Sequence, residues 1–278
     1  MNPDTAVVTR SIQKSTSEGL IWQDDFLAVE EPLEISISYL SDHKRIKKNV
    51  SVTMRTPSRD EELALGFLFT EGIIRDFNQI EKVVSNELDP NKVTVVLREG
   101  YVPNLNTSER NFYTTSSCGV CGKASIDAIH VTSSFQPSSQ LMTVSDQVFL
   151  KIFSELNSRQ NIFESTGGLH ASSLYDIKGN FQMIFEDVGR HNALDKLIGA
   201  AFRSNMLPLQ GSVLLLSGRA SFELIQKAHM AGIMIVAAIG APSSLAAELA
   251  ESSGITLVGF LSKEKFNIYT GFDRISKL

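Results

Sequence analysis

From residue 32 the chain alternates apolar and polar positions with a period of two: Leu33, Ile35, Ile37 and Tyr39 are interleaved with Glu34, Ser36 and Ser38, and Val50, Val52 and Met54 repeat the pattern after a polar stretch at 41–48. That pattern predicts an antiparallel hairpin. Ser58 and Glu61 have the spacing of a capping box, and the apolar run through Leu63, Leu65, Phe67 and Leu68 up to Gly72 predicts a largely buried helix behind it. Two further strands are expected around Val83 and over 93–97, on either side of the turn signal Asp89-Pro90-Asn91. The first twenty residues carry no apolar period and read as a flexible or loosely docked end.

Regularity stops over 101–117, which is rich in Asn, Ser, Thr, Glu and Arg. A second polar stretch at 132–139 precedes an amphipathic segment with Val144, Val148, Ile152 and Phe153. The remainder alternates: a hairpin over 170–177 and 181–185 around Lys178-Gly179-Asn180, a helix with Leu194, Leu197, Ile198, Ala201 and Phe202 on one face, then strand 213–216, helix 221–230, strand 233–239, helix 244–251 and strands 255–260 and 266–269. Such alternation implies crossovers and a sheet covered on both faces, so the fold class is α/β. The organisation expected is a flexible segment at 1–20, an N-terminal β-rich α+β portion at 21–110, a mobile loop region at 111–139 and a C-terminal α/β core at 140–278.

Composition narrows the function classes. The 278 residues are 42% hydrophobic and 21% charged, with a net charge of -5, which suits a globular protein and argues against general affinity for phosphate backbones or anionic lipid. The longest apolar run, 231–241, is too short to cross a bilayer, and the first twenty residues have no hydrophobic signal core, so a cytoplasmic location is expected. In that compartment two cysteines spaced C-x-x-C point to metal binding or thiol chemistry before a structural disulfide.

Those cysteines are Cys118 and Cys121, in Ser116-Ser117-Cys118-Gly119-Val120-Cys121-Gly122-Lys123. The flanking glycines let the backbone approach another molecule, and Ile126 and Ile129 suggest that a helix begins just after the motif. A thiol at a helix N-terminus beside Lys123 favours its thiolate, the form a nucleophilic sulfur needs. Three other readings compete. A structural zinc site would require His130, His170 or His191 to complete four ligands. A thioredoxin-type exchanger takes its C-x-x-C from the end of a buried strand, whereas a polar loop precedes this one. Packing cysteines belong on an apolar face. Deaminase chemistry lacks its upstream H-x-E, since the one upstream histidine, His43, is followed by Lys44 and Arg45.

Three more segments concentrate polar groups at element edges: Glu186-Asp187-Val188-Gly189-Arg190-His191, Thr166-Gly167-Gly168-Leu169-His170 and Ser217-Gly218-Arg219-Ala220-Ser221. The first falls at a strand-to-helix junction, where exposed backbone N–H groups bind anions, although Asp187 could simply cap the helix while Arg190 pairs with a carboxylate. Together the three suggest one polar site. The basic run from His43 to Lys48 reads as a solvated turn.

These segments, with Met54-Arg55-Thr56-Pro57, Leu65-Gly66-Phe67-Leu68, Glu71-Gly72-Ile73-Ile74, the full run from Glu186 to Lys196 and Leu257-Val258-Gly259-Phe260, resemble the FdhD family, the formate dehydrogenase accessory proteins, over about residues 30–270. The resemblance implies a cytidine deaminase-like three-layer α/β/α fold. It implies a sulfurtransferase that takes persulfide sulfur from a cysteine desulfurase on Cys118, with Cys121 as assistant or alternative carrier, and passes it to the molybdenum bis(molybdopterin guanine dinucleotide) cofactor required by formate dehydrogenase. The cofactor's guanine dinucleotide ends would meet Phe260, Leu261, Ser262, Lys263, Glu264 and Lys265, and Arg190, His191 and Arg219 would neutralise its phosphates. Family members commonly carry Gly and Arg where this chain has Glu264 and Lys265. No zinc or other protein-held metal is implied, and the two-fold cofactor suggests a homodimer. A non-catalytic chaperone for the cofactor or the apoenzyme, or a dithiol oxidoreductase, are the functional alternatives.

Overall fold

The computed structural model describes residues 6–86, 88–105, 135 and 142–277. It opens with a hairpin of β1 (Val7–Thr16) and β2 (Gly19–Ala28), where the sequence pattern predicts a loosely docked end. The physical reason is exposure: Val7 and Ile12 are the sole residues of β1 that are even partly covered, so no buried face imposes an alternation to read. Apolar residues therefore stand in water, Trp22 at 70% exposure and Leu20 at 66%. The base of the hairpin is anchored where Ala6, Val7 and Ala28 pack with Ile162, Leu169 and Val188.

The next hairpin, β3 (Glu31–Ser41) and β4 (Lys44–Arg55), is the predicted one with a tighter connection. Asp42 and His43 both take left-handed backbone angles, φ 48 and 60, as a two-residue turn between twisted strands requires, so the basic run belongs largely to β4. Helix α1 (Asp60–Thr70) follows, without the expected cap. Ser58 and Arg59 are both left-handed, at φ 92 and 59, and Ser58 Oγ is buried without a partner among the described residues. Glu61 instead pairs with Arg203 at 2.9 Å. The strands β5 (Ile80–Asn86) and β6 (Asp89–Leu97) complete a sheet of order β4-β3-β6-β5. Asp89-Pro90-Asn91 thus begins β6 and does not form the turn; Arg55, fully buried and bidentate to Asp60 at 2.9 and 3.0 Å, takes the Pro90 carbonyl and the Asn91 side chain.

The C-terminal part runs β7 (Val144–Ser145), α2 (Asp146–Leu156), α3 (Asn161–Thr166), β8 (His170–Asp176), β9 (Phe181–Asp187), α4 (Arg190–Arg203) and β10 (Ser212–Leu216). It continues through α5 (Phe222–Met230), β11 (Ile235–Ala238), α6 (Ser244–Ser252), β12 (Thr256–Gly259), β13 (Asn267–Thr270) and β14 (Ile275–Ser276). Six of these strands form a mixed sheet of order β13-β12-β11-β10-β8-β9. Strands β10, β11 and β12 are mutually parallel, while β8 runs antiparallel to both β9 and β10.

Period-two packing explains why these strands read as continuous apolar runs: both faces are covered. Val213, Leu215, Ile235, Ala237 and Val258 meet Val148, Phe149 and Ile152 of α2 on one side. Leu214, Leu216, Val236, Ala238 and Leu257 share the main core with α1, α4, α5 and the inner face of the four-stranded sheet on the other. The predicted α/β class is observed, and one core unites the N-terminal and C-terminal portions. Helices α1 and α4 cross at backbone contact: a Cβ on Gly66 would strike the Asp195 carbonyl, and one on Gly199 the Glu62 carbonyl. Among the described residues no helix is long and apolar enough to cross a membrane.

Candidate functional site

The three parallel strands end at one edge of the six-stranded sheet, and because β8 is antiparallel its first residue, His170, lies at that same edge opposite Asp187, the last of β9. The carboxyl ends of parallel strands are where α/β folds place ligands, since the loops there are free of sheet pairing. Short contacts bring the loops together. Gly240 N–H donates to the Gly218 carbonyl at 2.9 Å, Phe260 N–H donates to the Gly240 carbonyl at 3.2 Å, and a Cβ on Gly240 would fall 2.8 Å from Arg219 Cγ. A Cβ on Gly218 would come within 3.3 Å of His170 Nδ1. Small residues are needed here because the loop backbones touch.

The β9–α4 junction adds the rest. Asp187 is fully buried and paired with Lys196 at 2.6 Å, one and a half turns into α4. Its carboxylate also accepts from the N–H groups of Thr56 and Gly189 and from the Asn192 amide. Burial pushes the Asp187 carboxyl up, against the pull of Lys196 and these donors. Lys196 further donates to the carbonyls of Thr56 and Glu186. Neighbouring Glu186 accepts from Ile162 and Phe163 N–H at the start of α3, and burial pushes its carboxyl up as well. Asp187 is therefore the clamp that fixes the start of α4, a stronger role than the capping read from sequence.

Arg190 and His191 emerge from this clamp as the first residues of α4. The alternative in which Arg190 pairs with a carboxylate is not observed: among the described residues it forms no ion pair, and its buried Nε has no hydrogen-bond partner. Its charge is felt by His170, whose imidazole is held below the ordinary range first by burial and then by Arg190, with Asp187 opposing. His191 Nε2 lies 3.4 Å from Ser221 Oγ and 3.9 Å from Glu223. Arg219 is exposed at the same edge.

Phe260 is half exposed with a left-handed backbone, φ 52, and leads into a turn closed by mutual hydrogen bonds of Ser262 and Lys265. Lys263, Glu264 and Lys265 are exposed, whereas the Leu261 side chain is buried in the α2-side core and can offer only its backbone. Cys118, Cys121 and His130 lie outside the described residues. Among the described residues no group of three or more His, Cys, Asp or Glu is arranged to hold a metal ion.

The structure thus gathers Arg190, His191, Arg219 and Phe260 at one edge. It brings in His170 from the segment 166–170, and adds Thr56 and Lys196, which the sequence did not single out as site residues. Thr56 carried no local signal, because its contact with Val188 N–H at 3.1 Å joins positions 132 residues apart.

The family model described as the FdhD/NarQ family matches residues 28–276. The sulfur carrier protein FdhD of Mycolicibacterium paratuberculosis is 48% identical over 274 residues, covering 96% of this chain and 97% of that one. The protein of the same name from Mycobacterium tuberculosis is 44% identical, with 98% and 99% covered, and that from Sulfolobus acidocaldarius 40% identical, with 91% and 92% covered. A crystal structure described as a formate dehydrogenase accessory protein from Desulfotalea psychrophila superposes with a TM-score of 0.74 at 22% identity, covering 98% of this chain and all of that one, a likeness of fold.

Proposed function

The chain belongs to the FdhD/NarQ family, and on that premise we propose that it carries sulfur for formate dehydrogenase. Support comes from the name shared by relatives 40–48% identical over nearly the whole chain. The observation that carries the reading to particular residues is the convergence of Arg190, His191, Arg219 and the loop from Phe260 on one sheet edge, with no acidic partner for either arginine among the described residues. Unpaired guanidinium groups beside closely packed glycine loops suit phosphate, which accepts their paired donors.

In this reading the protein is a cytoplasmic sulfurtransferase. The Cys118 thiolate attacks the outer sulfur of a cysteine desulfurase persulfide, a new S–S bond forms on Cys118, and the desulfurase thiolate leaves. Cys121 then attacks Cys118 Sγ, which releases the terminal sulfur as hydrosulfide to the molybdenum of the bis guanine dinucleotide cofactor and leaves a Cys118–Cys121 disulfide for a dithiol reductant to reopen. The cofactor is cargo, its phosphates held by Arg190, His191 and Arg219 and its guanine ends by residues 260–265. A homodimer would present one such edge to each half of the cofactor. A cytidine deaminase-like fold is consistent with the mixed sheet and its helices on both faces.

Coexpression tests it. A formate dehydrogenase made in a host lacking its own accessory protein should gain activity with the wild-type chain and none with Cys118→Ala. Full activity with Cys118→Ala would identify a chaperone that needs no thiol.

A further inference from the structure

One polar group at the edge has no assigned task. His170 begins β8 half-buried, its ring against Gly218 and its backbone paired with Asp187, three residues before Arg190 opens α4, and its nitrogens hydrogen-bond to no described residue. Among the described residues the groups facing it are Asp187 from β9, Arg190 from α4 and the uncharged Gly218 after β10. An imidazole in contact with water gains nothing from standing beside a guanidinium unless a third, anionic group comes between them.

We propose that His170 is the proton-linked contact of this edge: its imidazole takes up a proton when a phosphate group binds beside Arg190. This deepens the cargo-binding reading and rests on it. The free imidazole sits below its ordinary range because burial and Arg190 disfavour its cation. A bound phosphate would offset the guanidinium charge and accept a hydrogen bond from the protonated ring, which reverses that sign. Linkage then works in both directions. Protonation favours the anion as much as the anion favours protonation. Between the free and bound values, affinity should rise as pH falls, by at most about tenfold per pH unit for one linked proton. The physical use would be release: a site that binds its anion with a proton lets it go when the proton is lost.

The test is calorimetry of the full chain with guanosine diphosphate at pH 7, in buffers of different ionisation enthalpy. Uptake of about one proton per nucleotide, absent in His170→Gln and absent with guanosine, is the expected result for one linked group. Binding with heat independent of buffer would overturn the proposal while leaving the cargo reading intact, and so would unchanged uptake in His170→Gln. Absence of any nucleotide binding would overturn both. Should His170→Gln fail to fold, the histidine resonances of the wild-type chain decide: the His170 titration should move to higher pH on adding the nucleotide, and an unmoved titration contradicts the proposal.

Discussion

Helix α4 carries two kinds of charge a turn and a half apart. Lys196 and Asp195 point inward, where Lys196 meets Asp187 at 2.6 Å and Asp195 meets Lys227 at 2.9 Å, Thr70 completing the second group. Burial opposes the Lys227 charge, yet Asp195 and Glu71 outweigh it and hold the ammonium above its ordinary range. Arg190, at the start of the same helix, has no such partner among the described residues, and neither does Arg219 across the edge. A desolvated charge is tolerable only when paired, so the inner charges have a folding role. Charges left unpaired at the rim remain available for a ligand.

That contrast breaks most visibly at the inner pair. Lys227→Met should lower stability by about 3–5 kcal/mol, because it leaves Asp195 buried without its cation; denaturant unfolding measures it. Gly66→Ala, which drives a methyl into the Asp195 carbonyl at the α1–α4 crossing, should cost about 1–3 kcal/mol by the same assay. Arg190→Gln should do the opposite, leaving unfolding within about 0.5 kcal/mol of wild type. Its loss should appear in guanosine diphosphate affinity, weakened about tenfold to a hundredfold for one charge-assisted contact. The smallest effect is expected at the exposed turn: Glu264→Gly removes a carboxylate near the phosphates and should tighten nucleotide binding about two- to fivefold, as surface charge pairs allow.

Legibility in the sequence followed burial. The strands β8 to β13 and helices α4 to α6 were readable because both faces of their sheet are covered, so apolar runs and helical stripes alternate cleanly. The β1–β2 hairpin was not, since a strand exposed on both faces has no period to show. Local signals at Ser58 and Asp89-Pro90-Asn91 lost to tertiary contacts: Arg55 binds Asp60, Pro90 and Asn91 at once, which fixes the chain on both sides of the loop. The site was legible as three polar segments at element edges, yet their meeting depends on β8 running antiparallel to β10, which no spacing encodes. Lys196 and Lys227 could not be found at all, because a lysine at helical spacing reads as a solvated face and only the fold turns it inward.

The central claim is that this chain is a sulfur carrier, and intact-protein mass spectrometry after incubation with a cysteine desulfurase and cysteine tests it most directly. Wild type should gain the mass of one sulfur atom, reversible by a thiol reductant and absent in Cys118→Ala. A wild-type chain that gains no sulfur under conditions where the desulfurase itself is loaded would contradict the account.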